Sequence, residues 1–480
     1  MPSFFSDVHP IAAAVATALS ILALCFIPLV LVRRKEPAST VAWIMVLIFL
    51  PVVGLFFFWF LGRDRIRRQV RQEVSAKQVV REQILGLSRV SMEINFDKLL
   101  QDQPDELRGV MRLASRVGGF SLAHGNRIGV LLGAERTYEA ALDAIARAKD
   151  HVHLEYYIIR PDVTGTRFRD ALIAAVGRGV RVRVLYDAIG SWSLSKKFIA
   201  PLRAAGGHVE PFFPLKPITR AWSLNMRNHR KLMIVDGHVG FTGGINIGDE
   251  FTGWRDMSLQ IEGPAVSELQ GIFVEDWYFA TRHNLVHAAF FPDVHKAGDS
   301  TVQVVGSGPD ETQEAIARVY FAAIVGARER VWITTPYFVP DRAMLYALET
   351  AALRGVDVRL LVPRKSNHRV TFHAGRAVYD QLLRAGVQIY EYLPGMIHTK
   401  TMVVDEKFAT VGSANLDVRS FRLNFELIAI IYDVPTVQRL IAVFNEDLSH
   451  TERVLPADWM KRGTWTRICE GYGRLCSPFL

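Results

Sequence analysis

The sequence predicts an α/β protein in which two similar α/β sandwich lobes follow each other in tandem about a pseudo-twofold axis, preceded by two transmembrane helices. Three observations predict this class. A polar motif occurs twice, and its second copy begins 169 residues after the first (398 − 229). Strand–helix–strand patterns that end at glycine precede each copy, which is typical of α/β lobes. Two long apolar runs without a charge lie near the N-terminus.

The N-terminal part, residues 1–70, is predicted to be a membrane module. Residues 11–32 and 40–61 are each 22 residues long and carry no charge. A helix of that length is about 33 Å long and can cross a hydrocarbon core of about 30 Å. A signal peptide is an alternative for the first run, but no Lys or Arg precedes it. A buried core helix is an alternative for either run, but such a helix usually has a polar face.

Basic residues beside the two runs predict their orientation. They lie in the loop between the runs and directly after the second run: Arg33, Arg34 and Lys35, then Arg63, Arg65, Arg67, Arg68 and Arg71. Two spans return the chain to its starting side, so the larger group places the following lobes on the cytoplasmic side. Residues 71–110 are charged and have helical apolar spacing, which predicts a helical connector near the membrane surface.

The composition limits the class of partner. A chain of 480 residues is too long for one ordinary core. The net charge of +9 favours an anionic partner, either nucleic acid, a phosphate ester or an anionic lipid. The three cysteines form neither a zinc-site pattern nor a disulfide framework.

The two predicted lobes, residues 111–295 and 296–480, share one order of segments. The strand–helix–strand segments are HVHLEYYIIRPDVTG, FRDALIAAVGRG and VRVRVLYDAIG in lobe 1, and RVWITTPYFVPD, MLYALETAALRG and VDVRLLVPR in lobe 2. This βαβ pattern predicts a mainly parallel sheet. A pair of short strands joined by a tight turn follows in each lobe, KLMIVDG with VGFTGG and KTMVVDE with ATVGSA.

Each short strand pair carries the repeated polar motif. Its members are His229, Lys231, Asp236, Gly243 and Asn246 in lobe 1, and His398, Lys400, Asp405, Gly412 and Asn415 in lobe 2. Residues i and i+2 of a strand share a face, so the His and Lys of each copy should point the same way. A single His on an apolar strand is more often structural than catalytic. Here, however, each of two histidines is followed by a Lys and an Asn at the same spacing. This repetition favours two halves of one active site.

The residue types of the motif point to phosphate chemistry. Two His, two Lys and two Asn do not supply the carboxylate cluster that Mg²⁺ or Ca²⁺ prefers, so no metal is predicted. Lysine and amide groups suit the oxygens of a phosphate in its transition state. A neutral His can attack phosphorus, and a protonated His can donate to the leaving oxygen. Two histidines on opposite sides of one phosphate would therefore support an in-line displacement.

Four carboxylates accompany the motif. Asp256 and Glu426, one in each lobe, are predicted to hold the far ring nitrogen of the histidines, with a surface ion pair as the alternative. Asp236 and Asp405 belong to the motif and are counted with its catalytic residues. Their apolar context nevertheless fits pairing with a turn or capping it better than contact with substrate.

The two copies of the motif are not identical. Ser413 is predicted to bind the substrate phosphate with Asn246 and Asn415, but lobe 1 has Gly244 at the position of Ser413. The half-sites are therefore expected to differ, as they would if one binds the donor and the other the acceptor. Weaker candidates for the site or a lipid contact are Tyr157, Tyr337, His368 and His373, and the segment from Thr464 is a candidate interfacial helix.

The doubled motif resembles that of the phospholipase D superfamily. The segments NHRKLMIVDG, FTGGINIGDE, TPYFVPD and GSANLDVRSFRLNFE, with the apolar runs around RRKEPASTVAW, resemble bacterial cardiolipin synthases. The resemblance covers nearly the whole chain except residues near 70–110. It implies that the phosphatidyl group of one phosphatidylglycerol passes to the glycerol of a second. The products would be cardiolipin and glycerol, formed through a phosphohistidine without a metal, nucleotide or other cofactor.

The resemblance also implies roles for the motif residues. His229 would be the nucleophile and His398 the acid and base, although the near symmetry of the repeat leaves the reverse assignment open. The phosphate would be held by Lys231, Lys400, Asn246 and Asn415. The implied partners are phosphatidylglycerol, cardiolipin and an anionic bilayer, not nucleic acid. The implied location is the bacterial inner membrane, as a multi-pass protein.

Other activities are compatible with the motif. A hydrolase of the same superfamily, either a phospholipase D or a nuclease, would use water as acceptor, but two membrane spans disfavour a nucleic acid substrate. A non-catalytic scaffold is disfavoured because both motifs are intact. The sequence leaves open whether phosphatidylethanolamine can replace the second phosphatidylglycerol. It also leaves open the oligomeric state, and a homo-oligomer is compatible with it.

Overall fold

The computed structural model describes residues 17–19, 21–32, 37–51, 54–55, 79–84, 86, 96–101, 103–120, 122–214, 225–310 and 313–477. The chain divides into two compact units, residues 1–72 and 73–480.

The first unit contains α1 (Ile27–Val32) and α2 (Pro37–Phe49), which pack against each other through apolar side chains. The predicted spans, 11–32 and 40–61, lie partly outside the described residues. No helix within the described residues is both long enough and apolar enough to cross a membrane.

The predicted connector, residues 71–110, also lies partly outside the described residues. Its last part contains α3 (Phe96–Gln101) and the first turns of α4 (Asp105–Gly118). Helix α4 continues across the predicted boundary at residue 110. Val110 and Met111 are buried in the core of lobe 2, so this helix contributes to the second lobe although it precedes the first.

Lobe 1 is a sheet with helices on both faces. Its elements are β1 (Ala123–Leu132), α5 (Ala134–Arg147), β2 (His151–Tyr156), α6 (Val163–Gly177), β3 (Arg181–Asp187), α7 (Lys196–Ala204), β4 (His208–Phe212), β5 (Arg227–Asn228), β6 (Lys231–Val235), β7 (Val239–Gly243), β8 (Met257–Glu262) and α8 (Ala265–Thr281). The alternation of β2 sets the two faces: Val152 and Leu154 join the core with α5, α6 and α7, whereas His153 meets Gln270 of α8 at 3.1 Å.

Lobe 2 repeats this plan. Its elements are β9 (Ser300–Ser307), α9 (Ala315–Gly326), β10 (Arg330–Thr334), β11 (Phe338–Val339), α10 (Arg342–Leu353), β12 (Asp357–Pro363), α11 (Arg369–Arg376), α12 (Tyr379–Ala385), β13 (Gln388–Tyr392), β14 (Thr401–Val404), β15 (Phe408–Gly412), β16 (Leu416–Asp417), α13 (Val418–Arg422), β17 (Asn424–Ile431), α14 (Val434–Leu448), β18 (Thr451–Arg453), α15 (Pro456–Met460) and α16 (Thr464–Cys476).

Most strands of both lobes join in one continuous sheet, whereas β11 and β16 form a separate pair and β5 pairs with β17 beside the main order. The order of the continuous sheet is β4-β3-β2-β6-β7-β8-β1-β9-β17-β15-β14-β10-β12-β13-β18. The order outward from the central antiparallel β1–β9 pair is the same on both sides until β18, as expected for two lobes related by a pseudo-twofold axis.

The prediction of a mainly parallel sheet is wrong, because the sheet is mixed. Strands β2, β3 and β4 are parallel, as are β10, β12 and β13, where helices connect successive strands. The hairpins β6–β7 and β14–β15 are antiparallel and pair antiparallel with their neighbours. A tight turn reverses the chain and produces an antiparallel pair, whereas a helical crossover returns the chain in the same direction and produces a parallel pair.

The helix boundaries follow local signals in the sequence. The side chains of Asp162 and Asp341 begin α6 and α10 by accepting from the backbone amide three residues on, at 2.9 Å in both cases. Gly179 and Gly355 follow the ends of the same helices with φ of 88° and 91°, a conformation that favours glycine.

Candidate active site

The two motif histidines lie where the lobes meet. His229 directly precedes β6, and its backbone amide donates to the Phe425 carbonyl oxygen of β17 at 2.9 Å. His398 precedes β14, and its backbone amide donates to the Arg255 carbonyl oxygen of lobe 1 at 2.7 Å. Each motif segment is therefore hydrogen-bonded to the opposite lobe, which brings both histidines to one junction.

This arrangement corrects the predicted strand position of the histidines. Strand β6 begins at Lys231, so His229 lies just before it. Strand β14 begins at Thr401, so both His398 and Lys400 lie outside it. The reason is that the backbone at each histidine bonds across the lobe junction instead of continuing the ladder of its own sheet.

Each histidine ring is paired with a carboxylate of the other lobe. The His229 Nδ1 atom lies 3.0 Å from both carboxylate oxygens of Glu426. The His398 Nδ1 atom lies 2.7 Å from Asp256 Oδ2. All four side chains are buried. A carboxylate accepts a hydrogen bond, which favours the proton on Nδ1 and leaves Nε2 of each ring for a substrate.

The two motif lysines lie against the backbone of their histidines. Lys231 Nζ donates to the His229 carbonyl oxygen at 2.6 Å, and Lys400 Nζ donates to that of His398 and lies 3.0 Å from its Nδ1 atom. Burial lowers the pKa of Lys231 to about 7 and that of Lys400 to about 8. Lys400 also lowers the pKa of Lys231, so the two amines act on the same region. An anion bound there would stabilise the charged form of both.

Burial also keeps both imidazoles neutral. It lowers the pKa of His229 to about 4, against the opposing effect of Glu426. It lowers the pKa of His398 well below the usual value, and Lys400 adds to this effect. A neutral imidazole is the form that can attack phosphorus.

The carboxylates of the two half-sites differ in how readily they ionise. Burial opposes ionisation of Glu426, but His229 and Lys231 together hold its pKa below the usual value. Burial raises the pKa of Asp256 to about 6, although Lys400 opposes this. The Glu426 carboxylate is therefore ionised at neutral pH, whereas that of Asp256 titrates close to neutrality.

The difference between Gly244 and Ser413 follows from these carboxylates. Ser413, predicted as a phosphate ligand, is fully buried and donates through Oγ to Glu426 at 2.5 Å. Its Oγ also accepts from the Leu427 amide at 2.9 Å. In lobe 1, a Cβ atom on Gly244 would lie 2.2 Å from Asp256 Oδ1, so only glycine leaves room for that carboxylate.

The motif asparagines are buried beside the same junction but are held differently. Asn246 Oδ1 accepts from the Ile158 amide at 3.3 Å. Asn415 donates through its backbone amide to Ser420 Oγ at 3.2 Å, and its side-chain Oδ1 has no hydrogen-bond partner among the described residues. The side-chain oxygen of Asn415 thus has bonding capacity left for a ligand.

The motif aspartates support loops. Both have a left-handed backbone, with φ of 55° at Asp236 and 52° at Asp405, directly after β6 and β14. The Asp236 carboxylate accepts from the backbone amides of residues 149–151 at 2.8 to 2.9 Å. The Asp405 carboxylate accepts from those of residues 328–330 at 2.8 to 3.1 Å. The two aspartates lie at the ends of their strands that are far from the lysines. This position fits a structural role better than the catalytic role with which the sequence motif groups them.

Aromatic rings border both histidines. The Tyr157 ring lies 4.8 Å from that of His229, and Lys231 Nζ lies 5.3 Å from the Tyr157 ring centre. The Trp254 ring lies 5.0 Å from that of His398, and the Tyr337 ring lies 6.3 Å from it. Of these rings, sequence reasoning misses Trp254, although its place two residues before Asp256 was an available signal.

Arg230, inside the first motif, is a second residue that sequence reasoning misses. It is buried and paired with Asp276 of α8. Its Nε atom donates to the Glu426 carbonyl oxygen at 3.0 Å, and one terminal nitrogen donates to that of Ser307 at 3.3 Å. Arg230 therefore ties α8 of lobe 1 to β17 and β9 of lobe 2 behind the His229–Glu426 pair.

These features define a protein with two phospholipase D-like α/β domains. Residues 141–277 and 320–448 match the family model described as cardiolipin synthase, PLD-like domain. Residues 18–63 match the model described as phospholipase D-nuclease N-terminal. The chain belongs to the cardiolipin synthase family of PLD-like proteins.

Similar proteins cover nearly the whole chain. The cardiolipin synthase of Geobacillus kaustophilus is 40% identical over 466 residues, which are 95% of this chain and 92% of that protein. The major cardiolipin synthase of Bacillus subtilis is 39% identical over 464 residues, which are 93% of this chain and 95% of that protein.

A solved structure shares the fold. The crystal structure of phosphatidylserine synthase from Haemophilus influenzae superposes with a TM-score of 0.58 at 14% identity, covering 77% of this chain and all of that one. This likeness confirms the tandem PLD-like arrangement.

Proposed function

We propose that this protein is a membrane phosphatidyltransferase that makes cardiolipin from two molecules of phosphatidylglycerol, using His229 as nucleophile and His398 as acid and base. Two buried histidines at one lobe junction, each paired through Nδ1 with a carboxylate of the opposite lobe, carry this proposal. The similarity to cardiolipin synthases over nearly the whole chain supports the choice of substrate.

The first step transfers the phosphatidyl group to the protein. His229 Nε2 attacks the phosphorus of the donor phosphatidylglycerol, and the bond from phosphorus to the head-group glycerol oxygen breaks. The bound phosphate anion stabilises the protonated form of His398, which then gives its Nε2 proton to that oxygen, so that glycerol leaves as a neutral alcohol. The ionised Glu426 stabilises the positive charge that develops on His229.

The second step transfers the group to the acceptor. Neutral His398 takes the proton from a head-group hydroxyl of a second phosphatidylglycerol. The resulting oxygen attacks phosphorus, the bond from His229 to phosphorus breaks, and cardiolipin forms. The side-chain oxygen of Asn415, which has no partner among the described residues, could accept a hydrogen bond from a glycerol hydroxyl.

The different ionisation of the two carboxylates supports this assignment of roles. Glu426 is the more strongly ionised carboxylate, which suits the histidine that becomes positively charged on phosphorylation. Asp256 titrates near neutrality, which suits the histidine that must gain and lose a proton in each cycle. Lys231 and Lys400 would bind the non-bridging phosphate oxygens, together with the motif asparagines.

The membrane module belongs to the same proposal. The two uncharged runs, 11–32 and 40–61, are long enough to span a bilayer, and the basic residues after the second run favour lobes on the cytoplasmic side. A membrane location would keep the protein beside its lipid substrates.

The experiment is product analysis of the purified full chain with phosphatidylglycerol in detergent micelles. Equal amounts of cardiolipin and glycerol are expected. Phosphatidic acid without cardiolipin would instead identify a hydrolase. Brief incubation with phosphorus-labelled phosphatidylglycerol should label the protein in an acid-labile, base-stable form, because phosphohistidine has that stability.

Two variants test the assignment of the histidines. H229A and H398A should each lower kcat by about 10⁴-fold or more, the loss typical of removing a nucleophile or its acid–base partner. H398A should still accept some label, whereas H229A should accept none. Labelling of H229A but not H398A would reverse the two roles.

A further inference from the structure

The C-terminal helix α16 exposes an apolar stripe. Trp465, Ile468, Tyr472 and Leu475 are spaced three or four residues apart and so share one helix face. Their side chains are 75%, 54%, 64% and 77% exposed. Large apolar side chains clustered on one exposed face usually mark a surface that meets another apolar phase.

The opposite face of α16 is fixed to lobe 2. A Cβ atom on Gly473 would lie 2.5 Å from the backbone nitrogen of Ala374, so α16 packs closely on α11. Glu470 is buried and accepts from Arg462 at 2.9 Å, and Arg462 also pairs with Asp380 at 2.9 Å. The apolar stripe is therefore presented by a docked helix.

A groove of about 370 Å³ runs beside the contact between α16 and α11. Its lining combines apolar and basic side chains: Arg369, Val370 and His373 of α11, and Trp465, Ile468 and Tyr472 of α16. Exposed Arg467 and Arg474 lie on the other flank of the stripe. Apolar and aromatic side chains bordered by arginines are the combination that binds the head-group region of an anionic bilayer.

The groove begins beside the active site. Helix α11 starts directly after His368. The His368 ring lies 5.3 Å from that of Tyr337, which in turn lies 6.3 Å from that of His398. A lipid held along α11 would thus have its head group near the second half-site.

We propose that α16 and α11 form a lipid-docking surface: the apolar stripe inserts into the boundary between head groups and acyl chains of an anionic bilayer, and the groove receives a phosphatidylglycerol for the His398 half-site. The identity of this lipid rests on the proposed function. A bilayer fits the stripe better than a second copy of the chain, because in an antiparallel pair of α16 helices the flanking arginines would lie near each other.

The insertion is tested without relying on catalysis. Cys25, Cys469 and Cys476 are replaced by Ser, and a single cysteine carrying a bimane fluorophore is placed by L475C or, as control, by L353C. Leu353 is 73% exposed, comparable to Leu475, but lies at the end of α10, before the start of β12. The full chain is reconstituted in phosphatidylglycerol vesicles containing brominated lipid. Strong quenching is expected at 475 and little at 353.

Unquenched fluorescence at 475 would overturn the proposal, and so would protection of 475 in a dimer shown by cross-linking. Because quenching needs no turnover, the two proposals can fail separately. Quenching without cardiolipin formation would remove only the proposed function. Cardiolipin formation without quenching would remove only the docking surface.

Kinetics give a second test. L475S, at a stripe residue that does not line the groove, should raise the KM for vesicle phosphatidylglycerol, expressed as surface concentration, severalfold with little change in kcat. On monomeric short-chain phosphatidylglycerol it should match L353S and the parent, because no bilayer is involved. An equal loss on both substrates would indicate damage to the site and contradict interfacial docking.

Discussion

At the scale of single residues, the site depends on which groups carry charge when the substrate arrives. The two histidines are neutral because they are buried, and Glu426 is ionised because His229 and Lys231 are close to it. The lysine amines lose protons more easily than usual for the same reason of burial. The lysines of the free site can therefore bind an anion, but the fraction that is protonated changes with pH near neutrality.

A first prediction concerns this pH dependence. A lysine binds phosphate only when protonated, and the pKa values of Lys231 and Lys400 are about 7 and about 8. The value of kcat/KM, which reports the free enzyme, should therefore fall as pH rises through 7 to 8. The fall in kcat should occur at a higher pH than the fall in kcat/KM, since the bound phosphate raises both lysine pKa values. Initial rates measured from pH 5 to 10 check this, and a kcat/KM that is flat up to pH 9 would contradict it.

A second prediction compares the two positions at which the half-sites differ. G244S should lower kcat by about 100-fold or more, because its Cβ atom would displace Asp256 from His398. S413G removes a hydrogen bond to the charged Glu426, which is worth about 1.5–3 kcal/mol, together with the bond from the Leu427 amide, and should lower kcat about tenfold. Rates of both folded variants give the comparison. Equal effects would mean that the Gly244 contact does not constrain the site.

At the scale of elements, each hairpin carries a lysine at one end and an aspartate at the other. The aspartates connect the hairpin turns to the loops before β2 and β10 through three backbone amides each. The aspartate thus holds the end of the hairpin that is away from the site, while the lysine at the other end contacts the histidine backbone. This explains why one short motif can contain both reactive and supporting residues.

The third prediction separates these two roles. D236N and D405N keep a side chain that tolerates the left-handed backbone but lose the charge that holds three amides. Each should lower the free energy of unfolding by about 1–3 kcal/mol and change kcat per folded molecule less than threefold. Denaturant unfolding and active-site titration measure the two effects. A loss of kcat comparable to that of H229A, with unchanged stability, would return these aspartates to the catalytic group.

At the scale of the whole molecule, the two lobes act as one unit. Their sheets meet at the β1–β9 pair, and α4 packs into lobe 2 before the chain enters lobe 1. The pairs of motif histidine and carboxylate cross the junction in both directions, so each motif histidine depends on a carboxylate of the other lobe. Arg230 reinforces this junction by linking α8 to β17 and β9.

The fourth prediction tests the contribution of that arginine. R230M removes one partner of a buried ion pair, which typically costs about 3–5 kcal/mol because the remaining charge is no longer compensated. The double variant R230M/D276L should recover most of that loss. Chemical denaturation of the parent and the two variants measures it. If R230M were as stable as the parent, Arg230 would not support the lobe junction.

The sequence by itself determined the duplication and the family and predicted the residues of both half-sites, because these depend on spacing and residue type along the chain. It also identified Asp256 and Glu426, since each occupies the same place in its repeat. Only the tertiary structure decided that each carboxylate serves the histidine of the other lobe, that Ser413 supports Glu426, and that Arg230 lies behind the site. The contacts of the two histidines and of Arg230 join residues 46 to 197 positions apart. They depend on how two similar sheets meet, which a repeated local pattern does not encode.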